Sequence, residues 1–260
     1  MKSRGYIHDI SLKRDAVASF DEYPFSLAAV RKLKTLKFHP AVTFFVGENG
    51  SGKSTLLEGI AVAMGFNAEG GSRNFRFETR ASHSKLHDYL TIGKSLARPK
   101  DSYFLRAESF YNVATEIERL DAEGIGPRLI DYYGGKSLHE QSHGEAFMAL
   151  LLGRMSAGGL YLLDEPEAAL SPQRQLAALV RINDLVKTGA QFIIATHSPI
   201  LLAYPAAWIY ACSDDGIVRT AYTDTEQYQV TKDFLANPQR MLDRLFSEDE
   251  GGSGYEPPGR

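Results

Sequence analysis

The chain has 260 residues, 43% of them hydrophobic, with 32 acidic against 29 basic side chains and a net charge of −3. That much apolar material can fill one large α/β domain, which excludes global disorder, and the near-neutral balance supplies no bulk electrostatic drive toward nucleic acid or an anionic membrane. The single cysteine, Cys212, excludes an intrachain disulfide framework and a cysteine-based zinc site and suits a reducing, cytoplasmic setting. No apolar run approaches the roughly 20 residues that span a bilayer, and Met1 to Tyr6 lacks the apolar centre of a signal peptide, so a soluble protein is expected.

In chain order, Phe25-Ser26-Leu27 and Leu33 to Phe38 read as short strands, and Val42-Thr43-Phe44-Phe45-Val46 as a buried one rich in β-branched and aromatic residues. Directly after it comes Gly47-Glu48-Asn49-Gly50-Ser51-Gly52-Lys53-Ser54, which fits G-x-x-x-x-G-K-[ST] at every fixed position; Thr55 to Met64 continues as a helix. That spacing suits phosphate. Glycines let successive N–H groups turn inward around phosphate oxygens, Lys53 adds a positive charge near the β- and γ-phosphates, and Ser54 offers a hydroxyl to Mg²⁺. The N-terminus of the helix, opening at Thr55, favours the same anion.

Residues of about 67 to 141 read as a compact inserted lobe. Asn74 to Arg80 alternates like a strand, Asp88 to Ile92 is a further candidate, Tyr103 to Ser109 opens on a strand-like run, and Ser109 to Leu120 looks helical. Arg73, Arg76 and Arg80, with Glu69 and Glu78 beside them, suit a solvated charged face better than a nucleic-acid contact. Tyr133-Gly134-Gly135-Lys136-Ser137 contains G-K-S but lacks the first glycine and a preceding strand, and reads as a turn. Ser142 stands before an apolar-periodic run through Phe147, Leu150, Leu151 and Met155, with Glu145 three residues on, which is the pattern of a capping box.

Leu160-Tyr161-Leu162-Leu163-Asp164-Glu165 is an apolar strand that ends in two carboxylates. Asp164 can hold Mg²⁺ through Ser54 or water, and Glu165 can polarise an attacking water. The alternative is a strand followed by a solvated acidic turn, Asp164 to Glu167. Pro172 to Val186 is helical, with Leu176, Leu179, Val180, Asn183 and Val186 at helical spacing, and Gln191 to Ala195 is a third apolar strand ending in Thr196-His197-Ser198-Pro199. Strand, helix and strand make a right-handed parallel crossover, which puts His197 at a carboxyl strand end, where ligands of open α/β sheets bind. Trp208 to Ala211 and Ile217 to Thr220 flank Asp214-Asp215-Gly216 as a hairpin, two short helices close the domain, and residues 247–260 form a polar tail without fixed structure.

In this order the phosphate loop, Ser142-His143-Gly144-Glu145, Leu162-Leu163-Asp164-Glu165-Pro166, Ala169-Leu170-Ser171-Pro172 and Thr196-His197-Ser198 resemble the signatures of the ATP-binding cassette (ABC) ATPases. The likeness is nearest to the soluble branch of RecF and the SMC heads, and to short bacterial "AAA family ATPases". It covers roughly residues 25 to 212. It implies an α/β fold, a P-loop NTPase of ABC ATPase-head type: one domain over residues 1–246, with a mostly parallel core sheet, an N-terminal antiparallel β subdomain and the small inserted lobe. It also implies ATP and Mg²⁺ as ligands, Lys53, Glu165 and His197 as catalytic groups, and Ser54 and Asp164 at the metal. Ser142 and Gly144 would reach the γ-phosphate of a second copy, and Ala169-Leu170-Ser171 would couple the two sites.

Two positions depart from the family pattern. His143 stands where a glycine is usual, and the glutamine expected after the next core strand is missing, Glu108 being its positional substitute. Adenine recognition falls to the first 45 residues, among Tyr6, Tyr23 and Phe25. One phosphate loop per chain excludes a self-contained pair of sites, and the resemblance implies a homodimer that sandwiches two ATP molecules. The expected function is Mg²⁺-dependent ATP hydrolysis by an ATP-gated homodimer that drives or regulates an unidentified protein partner, in DNA metabolism or defence. A transporter nucleotide-binding subunit and a non-hydrolysing ATP switch stand as alternatives, and nucleic-acid binding stays open.

Overall fold

The computed structural model describes residues 5–72, 84–106, 110–124, 128–133, 135–137 and 139–247. Its strands are β1 (Ile7–Leu12), β2 (Thr35–Lys37), β3 (Val42–Val46), β4 (Leu90–Lys94), β5 (Asp101–Arg106), β6 (Gly159–Asp164), β7 (Gln191–Ala195), β8 (Trp208–Ser213) and β9 (Gly216–Thr220). Its α-helices are α1 (Ala28–Arg31), α2 (Lys53–Ala63), α3 (Phe110–Ala122), α4 (His143–Ala149), α5 (Pro172–Lys187), α6 (Pro199–Leu202), α7 (Glu226–Ala236) and α8 (Pro238–Ser247).

Among the described residues the strands form two sheets, one of six strands in the order β5-β6-β7-β3-β8-β9 and one of three in the order β2-β1-β4. From β5 through β8 every neighbouring pair is parallel, and β9 returns antiparallel to β8. In the small sheet β1 is antiparallel to both neighbours. Buried strands with both faces covered favour near-continuous apolar runs, and β3, β6 and β7 are buried along their whole length with only Thr43, Asp164 and Gln191 polar among them.

The period-2 alternation of the strands divides these residues between two cores. Phe44, Tyr161, Leu163, Phe192 and Ile194 point to the face covered by α3, α4 and α5, where Ile117, Phe147 and Ile182 meet them. Phe45, Leu162 and Ile193 point to the other face, covered by α2 and the three-stranded sheet through Leu56, Ile60, Ile7 and Ile10. Phe192 sits fully buried on β7, its ring 5.1 Å from that of Tyr161. Phe192→Ala is expected to cost about 3–5 kcal/mol, read as a lower urea midpoint with an unchanged m-value.

Several sequence expectations are corrected. Phe25-Ser26-Leu27 is a turn: the Leu27 carbonyl accepts from the Val30 and Arg31 amides and starts α1. The small sheet instead takes its central strand from Ile7–Leu12, which has no clean alternation because its pairing with β4 shifts register between Ile7 and Asp9. The second strand, expected from Leu33 to Phe38, is confined to Thr35–Lys37. Residues 85–89 form a 3-10 turn, so the strand expected at 88–92 lies at Leu90–Lys94.

Within the stretch 67–141, β4 pairs with β1, and β5 forms the edge of the six-stranded sheet. The α5 helix has the expected period but a different phase. Ala178, Ile182 and Leu185 are buried, while Leu176 and Val180 are 55% and 63% exposed. Arg181 sets this rotation by donating to the Leu151, Leu152 and Met155 carbonyls at the π-helical turn (Leu150–Arg154) that follows α4. The strand expected at 74–80, the arginines at 73, 76 and 80, Glu108 and the tail from 248 lie outside the described residues.

Candidate nucleotide site

The register of the parallel sheet assembles the site. Ala195 of β7 aligns with Phe45 of β3 on one side and Asp164 of β6 on the other, so the segments after three central strands leave the sheet side by side. That edge carries the phosphate loop after β3, the acidic pair at the end of β6, and His197 after β7. Ligands of open α/β sheets bind at such carboxyl ends.

The loop has the backbone that its glycines permit, with φ of +142° at Gly47, +81° at Gly50 and +95° at Gly52. At Gly47 a side chain is also sterically impossible, since a Cβ would lie 2.2 Å from the Cys212 carbonyl oxygen. Lys53 reaches back into the loop it follows, its Nζ donating to the Gly47 and Glu48 carbonyls at 2.8 Å each. Burial pushes the Lys53 pKa below the ordinary lysine range, and the negative charges of Glu165, Asp164 and Glu167 oppose that shift. Burial also pushes the Cys212 thiol up to about 12, so it is a neutral, inert side chain at physiological pH.

The Ser54 hydroxyl donates to Asp164 Oδ1 at 3.0 Å, joining two motifs 110 residues apart in sequence. One hydroxyl and one nearly buried carboxylate make a small oxygen donor set of the kind Mg²⁺ accepts together with phosphate oxygens and water. Among the described residues no group of three or more His, Cys, Asp or Glu side chains is arranged to hold a metal by itself. The residues therefore fit a metal that arrives with the nucleotide.

Glu165 follows Asp164 in the left-handed region, at φ 49° and ψ 52°, and its amide donates to the Ala195 carbonyl at 2.9 Å. A non-glycine residue pays of order 1 kcal/mol for that conformation, and such strain collects at functional positions. The kink turns the Glu165 carboxylate toward β7, where its Oε1 lies 3.5 Å from His197 Nε2. His197 Nε2 and Ser51 Oγ are buried without a hydrogen-bond partner among the described residues, which suits groups that meet a phosphate. A cavity of about 630 Å³ also opens between residues 47–51 and the β8–β9 turn. Glu48, Asp214, Asp215, Asp224 and Glu226 line it together with the first half of the phosphate loop.

Ser142 and Gly144 stand elsewhere. Ser142 caps α4 in the expected capping box: its Oγ accepts from the Glu145 amide at 3.4 Å, and Glu145 Oε2 accepts from the Ser142 amide at 3.0 Å. Gly144 presses on the segment after the acidic pair, where a Cβ would fall 2.6 Å from the Ala169 carbonyl oxygen and 2.5 Å from an Arg174 guanidinium nitrogen. The turn of α4 thus packs on the Ala169–Ser171 loop, and the hydrogen bonds of Ser142 stay within its own turn.

Of the three aromatic candidates for the base, Tyr6 bonds to the Gly158 and Gly189 carbonyls, which precede β6 and β7 at their amino ends. Phe25 is buried against Tyr89. Tyr23 is exposed, and its hydroxyl lies 3.3 Å from that of Thr55, beside the loop. Arg106, at the end of β5, pairs with Glu58 of α2 at 2.6 Å.

Sequence reasoning missed Glu167. It read as part of an acidic turn, but its Oε1 accepts from the His197 amide at 2.5 Å, while Oε2 is buried without a hydrogen-bond partner among the described residues.

The strand order, the phosphate loop and the Ser54–Asp164 contact define a P-loop nucleotide-binding fold. Two family models match separate parts of the chain, one described as "AAA domain" over residues 19–125 and one as "AAA domain, putative AbiEii toxin, Type IV TA system" over residues 146–203. Among solved structures, the ATP-binding cassette MJ1267 of an ABC transporter is similar with a TM-score of 0.50 at 17% identity, over 90% of this chain and 96% of that one. The SMC head domain from Thermotoga maritima gives 0.42 at 16% identity, over 83% and 99%. The fold is that of a P-loop NTPase and resembles the ABC ATPase head, and AAA-domain models match two separate stretches of the chain. A curated relative, ABC transporter G family member STR2 from Medicago truncatula, is 26% identical over 172 residues, 61% of this chain. The chain spans 24% of that protein's length. Among the described residues no helix is long and apolar enough to cross a membrane.

Proposed function

We propose that the chain binds Mg²⁺-ATP and hydrolyses it as an ATP-gated homodimer whose closure and reopening act on a protein partner. The observation that supports this reading is the 3.0 Å contact between Ser54 and Asp164, a hydroxyl and a carboxylate suited to Mg²⁺ that meet beside the phosphate loop, with Glu165 following Asp164 and facing His197. When bound, the metal neutralises charge on the phosphate oxygens. The residues do the rest. The loop amides from Gly47 to Thr55 cradle the phosphates, Lys53 contributes a fixed positive charge, and Tyr23 offers its ring to the base. Glu165 is the group that takes a proton from water, and His197 faces it to orient the γ-phosphate.

The homodimer rests on Ser142 and Gly144. Their helix turn packs on the Ala169–Ser171 loop and Ser142 is exposed beside it, so a nucleotide held by a second copy can approach this turn from outside the chain. Ser142→Asp tests this, because aspartate keeps an N-cap while adding a negative charge that would face phosphate. The expected result is a monomer that still folds, with a melting temperature lowered by repulsion between the new carboxylate and Glu145, and that binds ATP unchanged, with the ATP-dependent dimer lost and turnover reduced about 10–100-fold, the worth of one hydrogen bond to a charged group. Full turnover together with a normal dimer would reject the role of Ser142 and leave it as a cap.

A further inference from the structure

Asp164, Glu165 and Glu167 fall within four residues, and the third has no role in the hydrolytic scheme above. Its surroundings are not those of a solvated turn. Pro166 follows the left-handed Glu165 and opens a 3-10 turn, Pro166–Ala169, which brings the Glu167 side chain back over β7. There Glu167 Oε1 accepts from the backbone amide of His197, the residue whose imidazole lies 3.5 Å from Glu165. A charged acceptor on a backbone donor is the stronger kind of hydrogen bond. Glu167 Oε2 and His197 Nε2 are both buried without hydrogen-bond partners among the described residues. The Glu167 charge also reaches Lys53 across the site. The segment after β7 is also held by buried Thr196, whose amide donates to the Phe45 carbonyl and whose hydroxyl accepts from the Ser198 amide, and by Ser198, whose hydroxyl bonds to Gln175 and to the amides of Ile200 and Leu201; Glu167 is the side chain that takes the His197 amide itself.

We propose that Glu167 is a positioning residue of this site: through the His197 amide it fixes the turn after β7 and so aims the His197 imidazole beside Glu165. The proposal rests on the ATPase reading for its kinetic consequence but not for its geometry. A side chain that orients a group in the reacting assembly acts on kcat, since a misplacement of about 1 Å can cost about 100-fold. It has little effect on nucleotide affinity, which the phosphate loop supplies.

The test compares phosphate release and fluorescent-ATP affinity for the wild type, Glu167→Ala, Glu167→Gln, His197→Ala and the Glu167→Ala/His197→Ala pair. Glu167→Ala is expected to lower kcat about 10–100-fold with affinity unchanged. Glu167→Gln keeps an amide-accepting oxygen and restores most of the rate. The double variant is no slower than His197→Ala alone, because Glu167 acts through His197. Multiplying losses in the double variant, or Gln as slow as Ala, would overturn the proposal. If Glu167→Ala does not fold, Glu167→Asp, one methylene too short for the amide, carries the same expectation.

A second readout separates this idea from the ATPase reading. In protein with ¹⁵N-labelled histidines, the His197 ring signal should respond to a non-hydrolysable ATP analogue in wild type and Glu167→Gln but not in Glu167→Ala. A wild type that hydrolyses nothing yet shows this pattern rejects the ATPase reading and supports the positioning. An undiminished His197 response in Glu167→Ala rejects the positioning.

Discussion

Lys53→Ala is expected to abolish measurable ATP turnover and to weaken nucleotide binding about 10–100-fold, the equivalent of the 1.5–3 kcal/mol that a hydrogen bond to a charged group contributes. Two losses combine. The ammonium no longer meets the phosphates, and the Gly47 and Glu48 carbonyls lose the donor that holds the loop in its curled form. Arginine is no substitute, because the side chain is 3% exposed and its forked head needs room that the loop does not have. Phosphate release and fluorescent-nucleotide titration on one preparation check both parts. Turnover equal to wild type would assign the hydrolysis to something other than this loop.

Glu165→Gln has the opposite signature. Gln keeps the shape and the left-handed backbone of Glu165 but cannot accept a proton, so kcat is expected to fall about 10²–10⁴-fold, the usual worth of a positioned general base. Nucleotide affinity stays, since Lys53, Ser54 and Asp164 are untouched. A bound, unhydrolysed ATP then holds the closed state, and the variant accumulates as a complex with its nucleotide. Loss of affinity with unchanged kcat would move Glu165 from the chemistry to binding.

The parts of this site that are legible in sequence are those where short-range chemistry decides the structure. The glycine spacing of residues 47–54 demands one loop geometry, and fully apolar runs such as Phe192-Ile193-Ile194 suit only strands covered on both faces. The capping box at Ser142 and Glu145 is equally local. What sequence did not reveal depends on distant partners. The phase of α5 is set by Arg181 reaching the carbonyls at residues 151–155, and the β1 strand is recognisable only through its irregular pairing with β4. Glu167 is the most instructive miss. Its neighbours Glu165 and Pro166 suggest an acidic turn, and only the kink at Glu165 together with the parallel register of β6 and β7 brings it onto His197. An acidic residue directly after the proline that follows a strand-end Asp-Glu pair is the signal that could have marked it.

The central claim is that two copies close on ATP. The direct measurement is the molar mass of Glu165→Gln by light scattering, with and without Mg²⁺-ATP. The chain is 28.8 kDa, and the expected result is that mass without nucleotide and twice that mass with it, reverting when Lys53→Ala is added. A mass of one chain under both conditions, with ATP demonstrably bound, would contradict it.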